Sequence, residues 1–419
     1  MRVMYLQKIK VLLGALLVCL LTLSLVIYPK EGVEAAMAGL KVFWDIVLPS
    51  LLPFFVLSEM MLGMGVVHFL GVILEPLMKP LFNVPGVGAF ALSMGLAAGY
   101  PMDAVITGKF RRSGLCTQVE GERLLSFTNT ADPLFIFGAV AVGMFGYPDL
   151  GIILALAHYI ASFTVGIVFK FYKREDRSSV KKSDDDGSGS YQSGIVKRAI
   201  RELFRARRED GRPFGRLLGD AVKESITTLL MIGGFIILFS VIVKMLTVFG
   251  FFRILVPVLG GILKIFNIDP HLVHAVFYGV LEIDLGSMAA SRAAAPLVDQ
   301  AMIASWIIAW SGLCVHGQVA SVIHDTDIRM APYMAARFLH GLFAAAFTWL
   351  LMGPLMPVFA PFRHHLAVGA PAGEGFNPLD RIIFSSEQLL VILGLLILLS
   401  IFIYFHRRYR IIFKSKNMK

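Results

Sequence analysis

Long apolar stretches recur from one end of the chain to the other, separated by short polar or charged intervals. A helix needs about 20 predominantly apolar residues to cross a bilayer. By that measure the candidate spans are 11–28, 38–62, 119–146, 150–171, 221–250, 298–323, 336–359 and 388–406. Two regions break the pattern: GVGAFALSMGLAAGYPMDAVITGKF (86–110) and HLVHAVFYGVLEIDLGSMAASRAA (271–294). Each places two short apolar arms around a polar, glycine-containing centre, which reads as a re-entrant hairpin. Such backbone is tolerated in a membrane only where protein buries it or it lines a cavity. A short helix precedes each hairpin, over 66–82 and 253–267, and is expected to lie along the interface. The fold class is therefore an all-α polytopic membrane protein, with about eight transmembrane helices and two re-entrant helical hairpins.

These elements fall into an order that repeats. An N-terminal transmembrane helix (1–37) precedes a first unit over 38–171, with hairpin 86–110 and broken helix 119–146. A basic linker and amphipathic helix (172–220) leads to a second unit over 221–359, with hairpin 271–294 and broken helix 298–323. An outer loop (360–387) and a C-terminal transmembrane helix with a basic tail (388–419) follow. PLFNVPG (80–86) returns as KIFNIDP (264–270), so that Phe82 and Asn83 answer Phe266 and Asn267. At the same offset Gly95 answers Gly279, and Tyr100-Pro101-Met102-Asp103 answers Asp284-Leu285-Gly286-Ser287. In this topology the hairpins enter from opposite sides, so the repeats are inverted, a design used by secondary transporters.

The run SFTNTADPLFIFGAVAVG (126–143) turns this architecture towards chemistry. Pro133 has no N–H, so the carbonyl of Asn129 loses its helical partner and the helix should break near 129–133. The freed carbonyls and the side chains of Thr128, Asn129, Thr130 and Asp132 then need partners. Substrate, coupling ion and water would supply them in a transporter; neighbouring helices would supply them around a simple kink. The clustering favours the first reading.

Other polar groups gather at the corresponding places. Tyr100, Pro101 and Asp103 lie at the tip of the first hairpin, where two half-helices meet and expose N–H groups that attract anions. Glu282, Asp284 and Ser287 form the second tip. Carboxylates at membrane depth must be protonated, paired or bound to a cation, unless they reach outer water and act as a gate. Ser311, His316 and Gln318 interrupt the second broken span, and together they place His316 in a pathway rather than in packing.

Composition agrees with a membrane protein. The chain is 57% hydrophobic and 16% charged, with mean hydropathy +0.73; soluble domains carry about 25% charged residues. Its net charge of +10 belongs to topology rather than to nucleic acid. With residues near a span edge assigned to the nearer side, 30 of the 39 Lys and Arg fall on the inside, as the positive-inside rule requires. The 18-residue core of the first segment exceeds a typical signal-peptide h-region, which favours an uncleaved helix. The linker 174–194 is polar and solvated. Its Asp184-Asp185-Asp186 run fails as a calcium loop, since Ile195 stands where the twelfth-position acid belongs. The basic amphipathic segment 195–216 is expected on the anionic inner leaflet.

The separated Cys19, Cys116 and Cys314 imply neither a disulfide framework nor a zinc site. No hydrolase, metalloprotease or Walker motif occurs, so no catalytic residue, metal or cofactor is expected.

Four motifs in order, GYPMDA, FTNTADPLFIFGAVAVG, LEIDLGSMAAS and WSGLCVHGQVAS, resemble the YlbJ-type sporulation integral membrane proteins, the stage V sporulation protein VV family. The resemblance spans about 10–406. It departs at Asp103, where the family pattern has a small residue, which implies a re-tuned tip. It implies nucleoside-recognition Gate domains and a fold like that of the concentrative nucleoside transporters. It further implies a place in the outer forespore membrane and movement of dipicolinic acid from mother cell towards forespore. The substrate-binding set would be Tyr100, Pro101, Asp103, Thr128, Asn129, Thr130, Glu282, Asp284, Ser287, Ser311, His316 and Gln318. The implied partners are a small-molecule substrate, a coupling proton or cation, the lipid bilayer and, by analogy with the related transporters, further copies of the chain. Nucleoside or other metabolite transport, and a non-transporting scaffold for spore assembly, stay open as alternatives.

Overall fold

Backbone polar groups away from water must pair within the chain, and in an apolar segment the helix does this locally. The computed structural model describes residues 2–133, 135–173, 195–353, 390, 394 and 396–403; among these, regular structure is helical and no strand occurs. The linker 174–194, the outer loop 360–387 and most of the last expected span fall outside the described residues.

The chain opens with α1 (Arg2–Ile27) and α2 (Pro29–Val42), whose axes differ by 106°. Pro29 at the start of α2 has no N–H with which to continue the first ladder. A π-helical turn, Phe43–Val47, leads into α3 (Leu48–Gly63), and an 83° bend separates that helix from α4 (Val66–Phe82). The first hairpin is α5 (Gly88–Ala98) and α6 (Met102–Arg112). The first broken span is α7 (Gln118–Thr128) followed by a π-helical segment, Phe135–Met144, and α8 (Leu150–Phe169) completes the unit.

After α9 (Ile195–Asp210), the second unit runs α10 (Phe214–Val248), α11 (Phe252–Ile265), hairpin α12 (Val273–Leu281) and α13 (Ile283–Arg292), broken span α14 (Leu297–Trp310) and α15 (Gly312–Ile323), and α16 (Met330–Met352). Among the described residues, four helical stretches are long and apolar enough to cross a membrane: 150–169, 214–248, 297–323 and 330–352. Counting each bent pair as one span raises this to six. The protein is thus an all-helical polytopic membrane protein.

One amphipathic helix differs from its expected setting. α4 does not lie free along an interface: Val67, Leu74 and Met78 are buried in the core. α9 covers it through Ala199 and Ala206, with an Arg198–Glu75 pair at 2.7 Å. The helical segment 396–403 also packs there, Ser400 donating to the Ile73 carbonyl at 2.5 Å. A 3.6-residue apolar period fits a lipid boundary and a second helix equally well, so the sequence pattern does not separate the two. α9 still presents Val196, Ile200 and Phe204 outward. α11 exposes Ile254, Val258, Ile262 and Ile265 along one face.

Two core clusters meet at the first hairpin tip. One draws on α4–α7 and the other on the π-helical segment, α8 and α12–α14; Tyr100 packs against both. The arms of the second hairpin touch backbone to backbone. A Cβ on Gly286 would lie 2.3 Å from the Gly279 Cα, and one on Gly279 would lie 2.3 Å from Ile307 of α14.

At the basic end, ion pairs tie the units together. Arg111 reaches both oxygens of Asp327 at 2.7 and 2.9 Å, and Arg112 reaches Asp325 at 2.8 Å. Gln118 donates to the Asp327 carbonyl. Arg329 forms a forked contact with Glu122 at 2.7 and 2.9 Å, joined by the Tyr172 hydroxyl. The Arg111 guanidinium holds the Asp327 carboxyl below its usual range. A carboxyl lowered in this way contributes stability above its unfolded value, about 3.9, and loses it as pH falls through the folded value. Because Asp327 is half exposed, screening limits the pair to about 1 kcal/mol or less. Arg111→Gln should therefore flatten the acid limb of thermal stability below about pH 4 with little effect at neutrality. Scanning fluorimetry in detergent across pH checks this, and an unchanged acid limb contradicts it.

Candidate functional site

The first break follows from Pro133 and is braced from outside its own helix. α7 ends at Thr128, Asn129 turns to extended backbone (φ −74°, ψ 92°), and helix resumes at Phe135. The carbonyls released at the end of α7 are met by side chains of α8 and α16. Arg337 donates from Nη2 to Ser126 O at 2.6 Å and from Nη1 to Asn129 O. Ser162 donates to Phe127 O at 2.5 Å, and the Tyr159 hydroxyl donates to Ala131 O at 3.1 Å. The Ala131 N–H donates to His158 Nε2 at 3.0 Å, and the Phe135 N–H to Asp132 at 2.9 Å. A cation suits this position, because unpaired carbonyls give a helix C-terminus partial negative charge. Side chains of α8 and α16 thus take up the carbonyls of Ser126, Phe127, Asn129 and Ala131, while Asp132 of the break itself takes the Phe135 N–H.

Its side chains form a second layer. Asp103, fully buried on α6, accepts from Asn129 Nδ2 at 2.9 Å and Thr128 Oγ1 at 3.1 Å. The Tyr333 hydroxyl donates to Asn129 Oδ1 at 3.0 Å. Thr130 Oγ1 reaches only Thr128 O, at 3.4 Å. Pro101 precedes α6, which has no side-chain cap on its N-terminus.

The second break and tip are built more sparsely. Ser311 and Gly312 both adopt left-handed backbone, φ 68° and 69°. A Cβ on Gly312 would lie 3.1 Å from both Glu282 Cα and Leu281 O, so the glycine permits the tip to press against the break. Trp310 Nε1 ties them by donating to Val280 O at 3.1 Å. Glu282 leaves the helix (φ −147°, ψ 134°) and accepts the Leu285 N–H at 2.8 Å, capping α13. The protein's own carboxylate thus occupies the N-terminus of α13. Asp284 sits in the first turn of α13. Gln318 is buried and contacts the Cys314 sulfur at 3.4 Å.

The two halves converge on Tyr100, which lies within electrostatic reach of Asp132, Glu282, Asp284 and Tyr333. The His316 and Tyr333 rings are 5.1 Å apart, and the Arg337 guanidinium lies 5.7 Å from the Tyr333 centroid. His316 Nδ1 pairs with the Gly312 carbonyl at 2.7 Å, so Nδ1 carries the proton and Nε2 the lone pair. Among the described residues, several atoms of the site are buried without a hydrogen-bond partner: Tyr100 Oη, Ser287 Oγ and His316 Nε2, and beside the first break Arg337 Nε and the Nδ1 atoms of His158 and His340. Buried polar atoms are normally paired, so these are the atoms with capacity to bind a ligand. No cluster able to hold a metal occurs among the described residues.

Sequence reasoning missed Arg337, Tyr333, His158, Tyr159, Ser162 and His340. Arg337 was counted with the inside charges because it lies one residue inside the expected span 336–359, yet it is 0% exposed. An arginine and a histidine one turn apart in an apolar helix, Arg337 and His340, were the available signal. Asn129→Leu should remove both the Asp103 and the Tyr333 contacts and cost about 1–3 kcal/mol. Tyr333→Phe should cost about 0.5–1.5 kcal/mol. Thermal unfolding of the detergent-solubilised variants checks the order, and equal effects would contradict the central place given to Asn129.

Comparison with known proteins fits this architecture. A family model described as nucleoside recognition, Gate, matches residues 45–171, which include the first hairpin and first break. No solved structure matches the chain. The sporulation integral membrane protein YlbJ of Bacillus subtilis (strain 168) is 44% identical over 352 residues, covering 84% of this chain and 85% of that protein. At that identity, over a stretch of that length, the chain belongs to the YlbJ family of sporulation integral membrane proteins.

Proposed function

We propose that this protein is a transporter of the sporulation pathway that moves dipicolinic acid across the outer forespore membrane by alternating access. The observation that carries the transport reading is the meeting of two hairpin tips with two broken helices around buried polar atoms left without partners. Discontinuous helices at membrane depth are where secondary transporters bind substrate. The repeat relation adds support. Asn83 and Asn267, which correspond in the two units, share left-handed backbone at φ 54° and 55°. Their paired glycines are also similarly placed, Gly95 against Thr128 of the first broken span and Gly279 against Ile307 of the second. The sporulation role and membrane follow the family.

Dipicolinate is a flat aromatic dianion near neutral pH. The rings of Tyr100, His316 and Tyr333 offer surfaces against which such a ring can stack, and Arg337 supplies positive charge. Glu282 and Asp284 oppose an anion unless each holds a proton or a cation. In this reading they bind the coupling ion, while Tyr100, Ser287 and His316 meet the substrate. Nucleoside transport is the second reading, favoured by the description of the family matched at 45–171.

The test uses purified protein in liposomes. Labelled dipicolinate should enter, and excess nucleoside should not compete. Competition by nucleosides would favour the second reading, and no uptake of either would favour a scaffold. Tyr100→Phe should lower dipicolinate affinity several-fold, corresponding to about 1 kcal/mol for one hydrogen bond, without changing the amount of folded protein. The paired change Glu282→Gln with Asp284→Asn should reduce accumulation driven by an imposed pH or cation gradient. Identical gradient-driven uptake in that variant would leave the tip as an outer gate.

A further inference from the structure

His158 lies near the middle of α8, at membrane depth, and is fully buried beside the first break. Its Nε2 accepts the Ala131 N–H at 3.0 Å. The neutral ring therefore carries its own hydrogen on Nδ1. On α16, one turn beyond Arg337, His340 donates from Nε2 to the carbonyl oxygen of His158 at 2.9 Å. That leaves a bare lone pair on His340 Nδ1. The two rings lie 4.5 Å apart, centroid to centroid. Among the described residues neither Nδ1 has a hydrogen-bond partner. The brace on the first break needs only one nitrogen of one histidine, so a pair of adjoining histidines with unused ring atoms exceeds what bracing requires.

The chemistry of the ring sets up an exclusion. The only lone pair on which neutral His158 can receive a proton is that of Nε2, and that lone pair holds Ala131. When an N–H bond forms there, the Ala131 N–H loses its acceptor and two donors face each other. The new charge also stands near Arg337, which already holds Ser126 and Asn129. The ionisable groups that face the pair are Arg337 from α16 and Tyr159 from α8; beyond them, Asp132 of the break lies near Tyr159, and Tyr333, Asp103 and Tyr100 lie near Arg337.

We propose that His158, with the ring of His340 tilted against it, is a proton-binding site that operates the first break: neutral His158 clasps Ala131, and a proton taken from water at Nε2 releases it. The site is separate from the tip carboxylates. Its use in coupling proton movement to substrate movement rests on the transport reading above; the clasp itself does not.

The test reads the clasp directly. With Cys19, Cys116 and Cys314 replaced, Thr130→Cys is labelled with a small thiol reagent from neutral to strongly acidic pH. The same measurement is made with His158→Gln, whose side-chain carbonyl can accept from Ala131 but cannot take a proton. Thiolate ionisation affects both alike and cancels in the ratio of rates. The proposal expects that ratio, His158 over His158→Gln, to rise several-fold towards acid pH; a constant ratio overturns it. Should His158→Gln not fold, hydrogen exchange of 126–133 in the unsubstituted protein decides. Protection that falls towards acid, after correction for intrinsic rates, supports the clasp, and constant protection overturns it. In liposomes, His158→Gln should keep dipicolinate exchange at equilibrium but lose its acceleration by a proton gradient; acceleration equal to that of the unsubstituted protein overturns the coupling role. If unsubstituted protein moves no dipicolinate, the substrate reading fails while the labelling ratio still decides the clasp.

Discussion

The contact on which the centre of the molecule depends is that of the Arg337 guanidinium with the carbonyl end of α7. A helix stopped in an apolar environment leaves carbonyls that water cannot reach, and a buried charge needs partners just as much. Each resolves the other's difficulty. Charge-assisted hydrogen bonds are about twice as strong as neutral ones, which suits a joint that must hold without solvent. The contact also fixes α16 against α7, which brings Tyr333 to Asn129, and Asn129 in turn to Asp103 of α6. Two helices and one hairpin are registered through this chain of contacts.

The two breaks are therefore unequal. The first is crossed by donors from α8 and α16, and its polar side chains bond to one another. The second relies on left-handed backbone at Ser311 and Gly312, and leaves His316 Nε2 and Ser287 Oγ without partners among the described residues. The binding capacity is then shared between Tyr100 Oη on the first hairpin tip and the atoms of the second half. The proton clasp at His158 supplies the braced half with its own means of release.

Much of this was legible in the sequence because helix-breaking chemistry interrupts apolar runs conspicuously. Pro133, the Gly99-Tyr100-Pro101 tip and the acidic Glu282–Asp284 turn each mark a place where the helix does stop. What was not legible is which distant residues satisfy those stops. Arg337 looked like a charge at the edge of a span, and His158 like a single histidine in an apolar helix. Their roles arise from α8 packing on α16 and both on α7, which no local pattern encodes. The burial of α4 was hidden for a related reason. Its apolar period is compatible with lipid, while its actual neighbours, α9 and 396–403, come from far along the chain.

The close approach of Gly279 and Gly286 governs how the second hairpin can behave. Its two arms meet at their backbones, so the hairpin has no internal slack to close up further, and any side chain at Gly286 would wedge it open. Flexing is consequently displaced to its roots. These are the short connection at 266–272 and the non-helical residues 293–296, and the latter carries Pro296. The hairpin is thus a stiff lever with its fulcrum at the protein surface. At its other end Glu282 lies against Gly312.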